Sequence, residues 1–184
     1  PVNDTTQTGS WTDCYPYSSI SIYALHPMYV DLQSLPPIND VGFLLEYEKK
    51  CCELNALPQV DYEEVNRLKH GYLQKLYNQI QRSLQHDEDY LQFCSANESW
   101  LVPYAAFCLL RDKYNTCDFT AWPRHSTYKE EEVSLWARKK KTELGYYMFV
   151  QYLLDKQLYE AATVARSLGV VLKGDIPIGI SRCS

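Results

Sequence analysis

The sequence predicts a mainly helical chain carrying one or two strands of a larger parallel α/β fold. Three observations lead there. From residue 39 to 168, most of the chain repeats apolar residues at helical spacing. The run Val170-Val171-Leu172-Lys173 then follows Gly169 and breaks at Gly174-Asp175, which is how a buried strand of a parallel sheet reads. Such a strand cannot bury itself, and its neighbours lie outside the chain, with at most one inside it. The chain therefore reads as a helical subdomain inserted between two pieces of a barrel-like core. It begins at Pro1 without a methionine, and both ends look cut; an internal part of a longer protein is expected.

The elements follow in order. Residues 1–37 are loop-rich. Asp4-Thr5-Thr6 and Thr8-Gly9-Ser10 are turn chemistry. The stretch from Trp11 to Pro27 is dense in aromatics and hydroxyls, more than a connector requires, and loops on rigid scaffolds often carry binding residues. Residues 28–32 alternate apolar and polar side chains, as a short strand does. A helix then starts at Asn39 or Asp40, with Val41, Leu44, Leu45 and Cys52 apolar, and Pro58 ends it. Asp61 with Glu64 opens a long amphipathic helix carrying Val65, Leu68, Tyr72, Leu76, Ile80 and Leu84 to about Gln85.

His70 and His86 read as polar surface residues of that helix. Residues 87–94 form a short helix. The next begins at Asn97 to Trp100, tolerates Pro103 in its first turns, and is strongly apolar. Residues 116–127 are irregular. Residues 128–141 form a charged helix whose runs Glu130-Glu131-Glu132 and Arg138-Lys139-Lys140-Lys141 read as a solvated face. The longest helix spans 142–168, with a stripe through Leu144, Met148, Gln151, Tyr152, Asp155, Leu158, Ala162, Ala165 and Leu168. Gly169 ends it in a left-handed conformation.

Composition removes several function classes. Of 184 residues, 46% are hydrophobic and 22% charged, an ordinary soluble balance. The net charge of -5 carries no nucleic-acid footprint. No apolar run is long enough to span a bilayer, and no signal-peptide pattern is expected in these residues. Seven cysteines lack disulfide-framework or zinc-ligand spacing, so reduced, mostly buried thiols are expected, with no metal. Tyrosine is conspicuous at 16; rings with a polar edge suit interfaces and sugar faces as well as half-buried helix positions.

These residues carry a resemblance. Gly174-Asp175-Ile176-Pro177-Ile178 follows an apolar run, and the helix upstream bears Gln151 and Gln157. Tyr15-Pro16-Tyr17-Ser18-Ser19 leads to His26-Pro27. Trp100-Leu101-Val102-Pro103-Tyr104-Ala105-Ala106-Phe107 and Trp122-Pro123 come between. In this order, over essentially the whole chain, the sequence resembles the 4-α-glucanotransferase family (amylomaltase or disproportionating enzyme). Tyr15 stands where most members have Ser, Ser18 where they have Gln, and His26 where they have Asn. These variants are similar to the cytosolic plant-type branch, which usually carries N-terminal starch-binding domains.

The resemblance implies a (β/α)8 barrel parent. Residues 1–37 would follow a barrel strand on the active-site side, 38–142 would be a helical insertion, and 143–184 a barrel helix and strand. It implies a cytoplasmic transferase of starch, glycogen or maltose metabolism. Its partners would be malto-oligosaccharides, maltose or polysaccharide glucan, with no cofactor. Retaining transfer needs two carboxyl groups about 5 Å apart. The family's nucleophile and acid/base lie on later strands, so no catalytic residue is expected within this chain. Asp175 matches a barrel motif that supports the catalytic centre, or it caps the following loop. Tyr17 matches a donor-side tyrosine, or it is a packed loop residue. Tyr15 and Ser19 are further candidates, and Arg182 is a candidate partner of Asp175 or of a downstream acid. The competing reading is a non-catalytic helical interaction or scaffold module. The exposed strand 170–173 is also expected to promote self-association.

Overall fold

The computed structural model describes residues 1–175. Six helices form its body: α1 (Val41–Asn55), α2 (Tyr62–Leu84), α3 (Glu88–Ala96), α4 (Glu98–Tyr114), α5 (Glu130–Lys139) and α6 (Lys141–Ser167). Short 3-10 turns occupy Trp11–Cys14, Pro27–Tyr29 and Phe119–Ala121. Local chemistry sets most helix ends. The carboxylates of Asp40, Asp61 and Asp87 accept from the backbone N–H three residues on, Phe43 (3.0 Å), Glu64 (3.1 Å) and Tyr90 (2.8 Å), each satisfying an orphan donor. Glu64 does not complete a capping box, since its carboxylate turns to Arg67 and Lys50 instead. The end of α6 is a Schellman motif. Gly169 (φ +73°) sends its N–H to Arg166 O, and Val170 N–H reaches back to Ala165 O.

α6 is the central element, packed against α2, α3, α4 and α5. Its buried positions are Leu144, Gly145, Tyr146, Phe149, Val150, Gln151, Leu153 and Leu154. Phe149, Val150, Leu153 and Leu154 join Tyr72, Leu73, Leu76, Tyr77 and Leu84 of α2 in one core, together with Val30, Leu32 and Ile38 of the N-terminal segment. Leu101, Tyr104 and Cys108 of α4 form a second cluster with Ala24. Where α2 and α6 cross, Tyr77 lies against Gly145 and donates its hydroxyl to Thr142 O at 2.9 Å.

Five expectations are corrected here. The α6 stripe faces the core only as far as Leu154; beyond it Leu158, Tyr159, Val164 and Leu168 are exposed. Periodicity records which positions are apolar, and not whether a partner covers them. In α1 the packed residues are Phe43, Leu44 and Tyr47, whereas Val41 and Leu45 face solvent.

The buried strand expected at 170–173 does not form among the described residues. That segment has no ladder, and Val170, Val171 and Leu172 are exposed, because no neighbouring strand offers backbone partners. Residues 28–32 are no strand either. His26 Nδ1 accepts from Met28 N–H at 3.0 Å and starts a 3-10 turn, and Lys69 Nζ donates to Met28 O and Val30 O. Side chains thus satisfy the backbone groups that a sheet would have paired.

Thiol burial is also less than expected. Cys108 is buried, Cys51 and Cys94 are half-buried, and Cys14 and Cys52 are exposed. Burial pushes the Cys108 thiol up to about 12, so it is an inert packing group rather than a nucleophile. His86 is exposed as expected; His70 keeps an open edge while its Nδ1 meets Tyr146 Oη at 2.9 Å. The charged helix α5 is a solvated face as expected, with exposed pairs Lys129–Glu132 and Lys140–Glu143 at its ends.

Candidate functional site

Two glutamines on one face of α6 fasten the N-terminal segment. Gln151 Oε1 accepts from Leu25 N–H and its Nε2 donates to Leu25 O, both at 2.8 Å. Gln157 repeats the pattern on Asp31, accepting from N–H and donating to O at 2.9 Å each. Each carboxamide therefore presents the donor–acceptor pair that a strand neighbour would present. Gln151 is 2% exposed, and its Nε2 also meets Tyr104 Oη at 3.2 Å. Tyr104 in turn donates to Asp4 Oδ2 at 2.7 Å, and Asp4 Oδ1 accepts from Thr6 N–H at 2.9 Å. Arg111, mostly buried, donates to Thr6 O (2.7 Å) and to Asp112 (2.7 Å). One buried polar chain thus ties α6, α4 and the N-terminal loop together.

Asp13 shapes the tip of that loop. Its buried carboxylate accepts from the N–H groups of Gln7 (3.0 Å), Thr8 (3.0 Å) and Gly9 (2.7 Å), with Gly9 at φ +72°. The chain is wrapped around one anion, as in a backbone nest. The wrap leaves three aromatic rings outward: Trp11 (65% exposed), Tyr15 (60%) and Tyr17 (43%). The Tyr15 and Tyr17 rings are 5.8 Å apart between centroids. Across the chain, Tyr17 Oη donates to Asp175 Oδ2 at 2.8 Å. That hydrogen bond, and then the charge of Asp175, hold the Tyr17 phenol above its ordinary proton affinity, so it stays protonated and donating.

The two leading sequence candidates, Tyr17 and Asp175, are therefore in direct contact, with Tyr15 beside them. Ser19 is not part of this exposed group. It is fully buried, and its Oγ meets no partner among the described residues. Arg182 lies outside the described residues. Among the described residues, no group of His, Cys, Asp and Glu could hold a metal ion, and no helix is long and apolar enough to cross a membrane. Sequence reasoning missed Asp4, Asp13, Tyr104 and Arg111 as organisers. Their only signal was a polar residue in an otherwise apolar or turn context.

The family model described as 4-alpha-glucanotransferase matches residues 1–184. The chain belongs to that family. It is 38% identical to 4-alpha-glucanotransferase DPE2 of Oryza sativa subsp. japonica over 189 residues, covering all of this chain and 20% of the rice protein. It is 31% identical to the 4-alpha-glucanotransferase of Chlamydia pneumoniae, covering all of this chain and 34% of that protein. It is 26% identical to the Synechocystis 4-alpha-glucanotransferase over 92% of this chain and 34% of that protein. The chain thus spans about a fifth to a third of the length of these relatives. In this 4-alpha-glucanotransferase family member, the two glutamines of α6 hold the N-terminal segment at Leu25 and Asp31, downstream of the loop that carries Tyr15 and Tyr17.

His26 gives this loop a pH dependence. Burial is the main cause that lowers its proton affinity; Asp4 and Asp13 oppose this, and Arg111 and Lys69 add to it. Its Nδ1 must be unprotonated to accept from Met28 N–H. Because the folded-state affinity is depressed, the unfolded chain binds the proton first as pH falls. Stability is complete above the unfolded pKa of about 6.5 and declines as pH drops through it. An Asn at this position keeps a side-chain acceptor for Met28 N–H. The variant His26→Asn should therefore lose less melting temperature between pH 7.5 and 5.5 than the unmodified chain. His70, lowered chiefly by burial, leaves a residual slope in both. Parallel pH–Tm curves for the two proteins would contradict this account.

Proposed function

We propose that this chain is part of an enzyme that transfers α-1,4-glucan segments between malto-oligosaccharides by retaining double displacement. In such a reaction one carboxylate attacks the anomeric carbon while a second carboxylic acid protonates the leaving sugar oxygen. A hydroxyl of an acceptor sugar then displaces the enzyme carboxylate with the second group acting as base. Both groups belong to later strands of a (β/α)8 barrel, outside this chain. In this reading residues 1–37 form an active-site loop, 38–142 a helical insertion, and 143–184 a barrel helix with its following strand.

The observation that carries the reading is the Tyr17–Asp175 hydrogen bond, which joins the N-terminal loop to the Gly174-Asp175 motif on an exposed aromatic face. The phenol spends its one proton on Asp175, so its oxygen turns acceptor toward a glucose hydroxyl. The rings of Tyr15 and Tyr17 offer apolar faces for the C–H side of a sugar. Asp175 acts as a positioning residue: it sets the tilt of Tyr17.

Disproportionation of maltotriose by the intact protein tests this. Wild type should release glucose and longer oligosaccharides. Tyr17→Phe keeps the ring but frees its orientation, and should lower kcat/KM about tenfold; Asp175→Ala, which also removes the carboxylate from the wall, should cost about a hundredfold. Residues 1–184 alone should release no glucose above background. An intact protein without transfer products would sink the enzyme reading and leave the helical scaffold module.

A further inference from the structure

The turn that carries Tyr15 and Tyr17 is weakly held from within. Both rings face outward, so the core grips neither. The backbone bonds inside the turn, Tyr15 N–H to Thr12 O and Ser18 N–H to Tyr15 O, are each 3.3 Å long, just past the usual N–H···O range of about 2.7–3.2 Å. The flanks are better fixed. Before the turn, Asp13 is seated by the N–H groups of Gln7, Thr8 and Gly9. After it, Ser19 is fully buried and Ile20 N–H donates to Asp4 O at 2.8 Å.

Gln7 joins the two flanks. Its N–H donates to Asp13 Oδ2 at 3.0 Å. Its Nε2 donates to Ser18 O at 2.8 Å and to Ser18 Oγ at 2.9 Å. Ser18 O can only accept, and this fixes the orientation of the carboxamide. Nε2 faces the turn, and Oε1 faces the Cys117 thiol, 3.9 Å away, on the segment after α4. One half-buried side chain thus closes residues 13–18 into a ring. Its two bonds to Ser18 are shorter than either backbone bond within that ring.

We propose that Gln7 is a positioning residue for the sugar-facing wall: by tying Ser18 to Asp13 it sets the width of the turn, and with it the aim of the Tyr15 and Tyr17 rings. The sugar in this statement rests on the transferase reading given above. Rings on an exposed turn must be ordered before they can grip a sugar, and that ordering is subtracted from binding unless the free protein has already made it. The tie supplies the order in advance. It is made by the side chain, so a substitution removes it and leaves Gln7 N–H on Asp13.

The test uses the intact protein with Gln7→Ala and Gln7→Glu. Glutamate has the same length, but its carboxylate offers no N–H to Ser18 O. In both variants KM for maltotriose transfer should rise about fivefold, with kcat within about twofold of wild type. A residue needed only for folding would instead lower the melting temperature and the active fraction, reducing kcat at unchanged KM. Hydrogen exchange followed by mass spectrometry reads the turn directly: the peptide spanning residues 12–18 should exchange about tenfold faster in both variants, with α2 and α6 unchanged. An unchanged KM, or unchanged exchange at residues 12–18, would overturn the proposal. So would a Gln7→Glu variant that behaves as wild type, since filling space would then be the role. Failure of the transferase reading is seen separately, as wild type without maltotriose transfer; exchange still decides in that case whether Gln7 closes the turn.

Discussion

Replacing Gln151 by Leu should lower the stability of the folded chain by about 3 kcal/mol. The side chain is similar in size and the position is fully buried in α6, so the change creates little cavity. It strips partners instead. Leu25 N–H and Leu25 O each lose a 2.8 Å hydrogen bond, and Tyr104 Oη loses a contact while it stays buried beside Asp4. Leaving a buried donor or acceptor unmade costs about 1–3 kcal/mol each, partly recovered by local relaxation. Gln157→Leu removes the same two bonds from Asp31, but those groups are exposed and water replaces the carboxamide. Its cost should stay below about 1 kcal/mol. Urea denaturation of the two variants reads the difference; equal midpoint shifts would show that burial of the clamp contributes nothing.

Gly145→Ala should cost a comparable amount, about 2–3 kcal/mol, for the opposite physical reason. In an exposed helix Ala is favoured over Gly by roughly 1 kcal/mol. Here an added methyl would land on the Tyr77 hydroxyl, with the ring carbon that bears it 3.3 Å away. Tyr77 is 6% exposed and its hydroxyl is committed to Thr142 O. It cannot swing aside without breaking that bond and disturbing its packing on Phe149 and Tyr146. Tyr77→Phe removes the colliding oxygen, so the double variant Gly145→Ala/Tyr77→Phe should lose less stability than the sum of the single changes. Strict additivity in thermal melts would show that the close approach of α2 and α6 is not what requires glycine.

The paired glutamines of α6 illustrate why a sequence pattern and its cause are read at different levels. Gln151 was visible as an inward-facing position of α6, and Gln157 as part of the same helix. Their spacing of six residues matches the spacing of Leu25 and Asp31, the residues they hold. That match involves two segments far apart in the chain, so no local reading reveals it. The same holds for Tyr17 and Asp175, each singled out from its own motif and joined only by folding.

The sequence by itself determined what nearest neighbours control. Asp40 and Asp61 start their helices and Gly169 stops α6 because capping acts within three or four residues. It also carried family membership through an ordered set of motifs. Tertiary structure decided what depends on distant partners. It left 170–173 exposed and 28–32 a turn, since a strand needs a neighbour to accept its hydrogen bonds. It ended the buried stripe of α6 at Leu154, buried Ser19 rather than displaying it, and built the loop around Asp13 and the Asp4–Tyr104–Gln151 chain. A buried polar residue is stable only when a partner arrives, and where that partner comes from is a property of the folded chain alone.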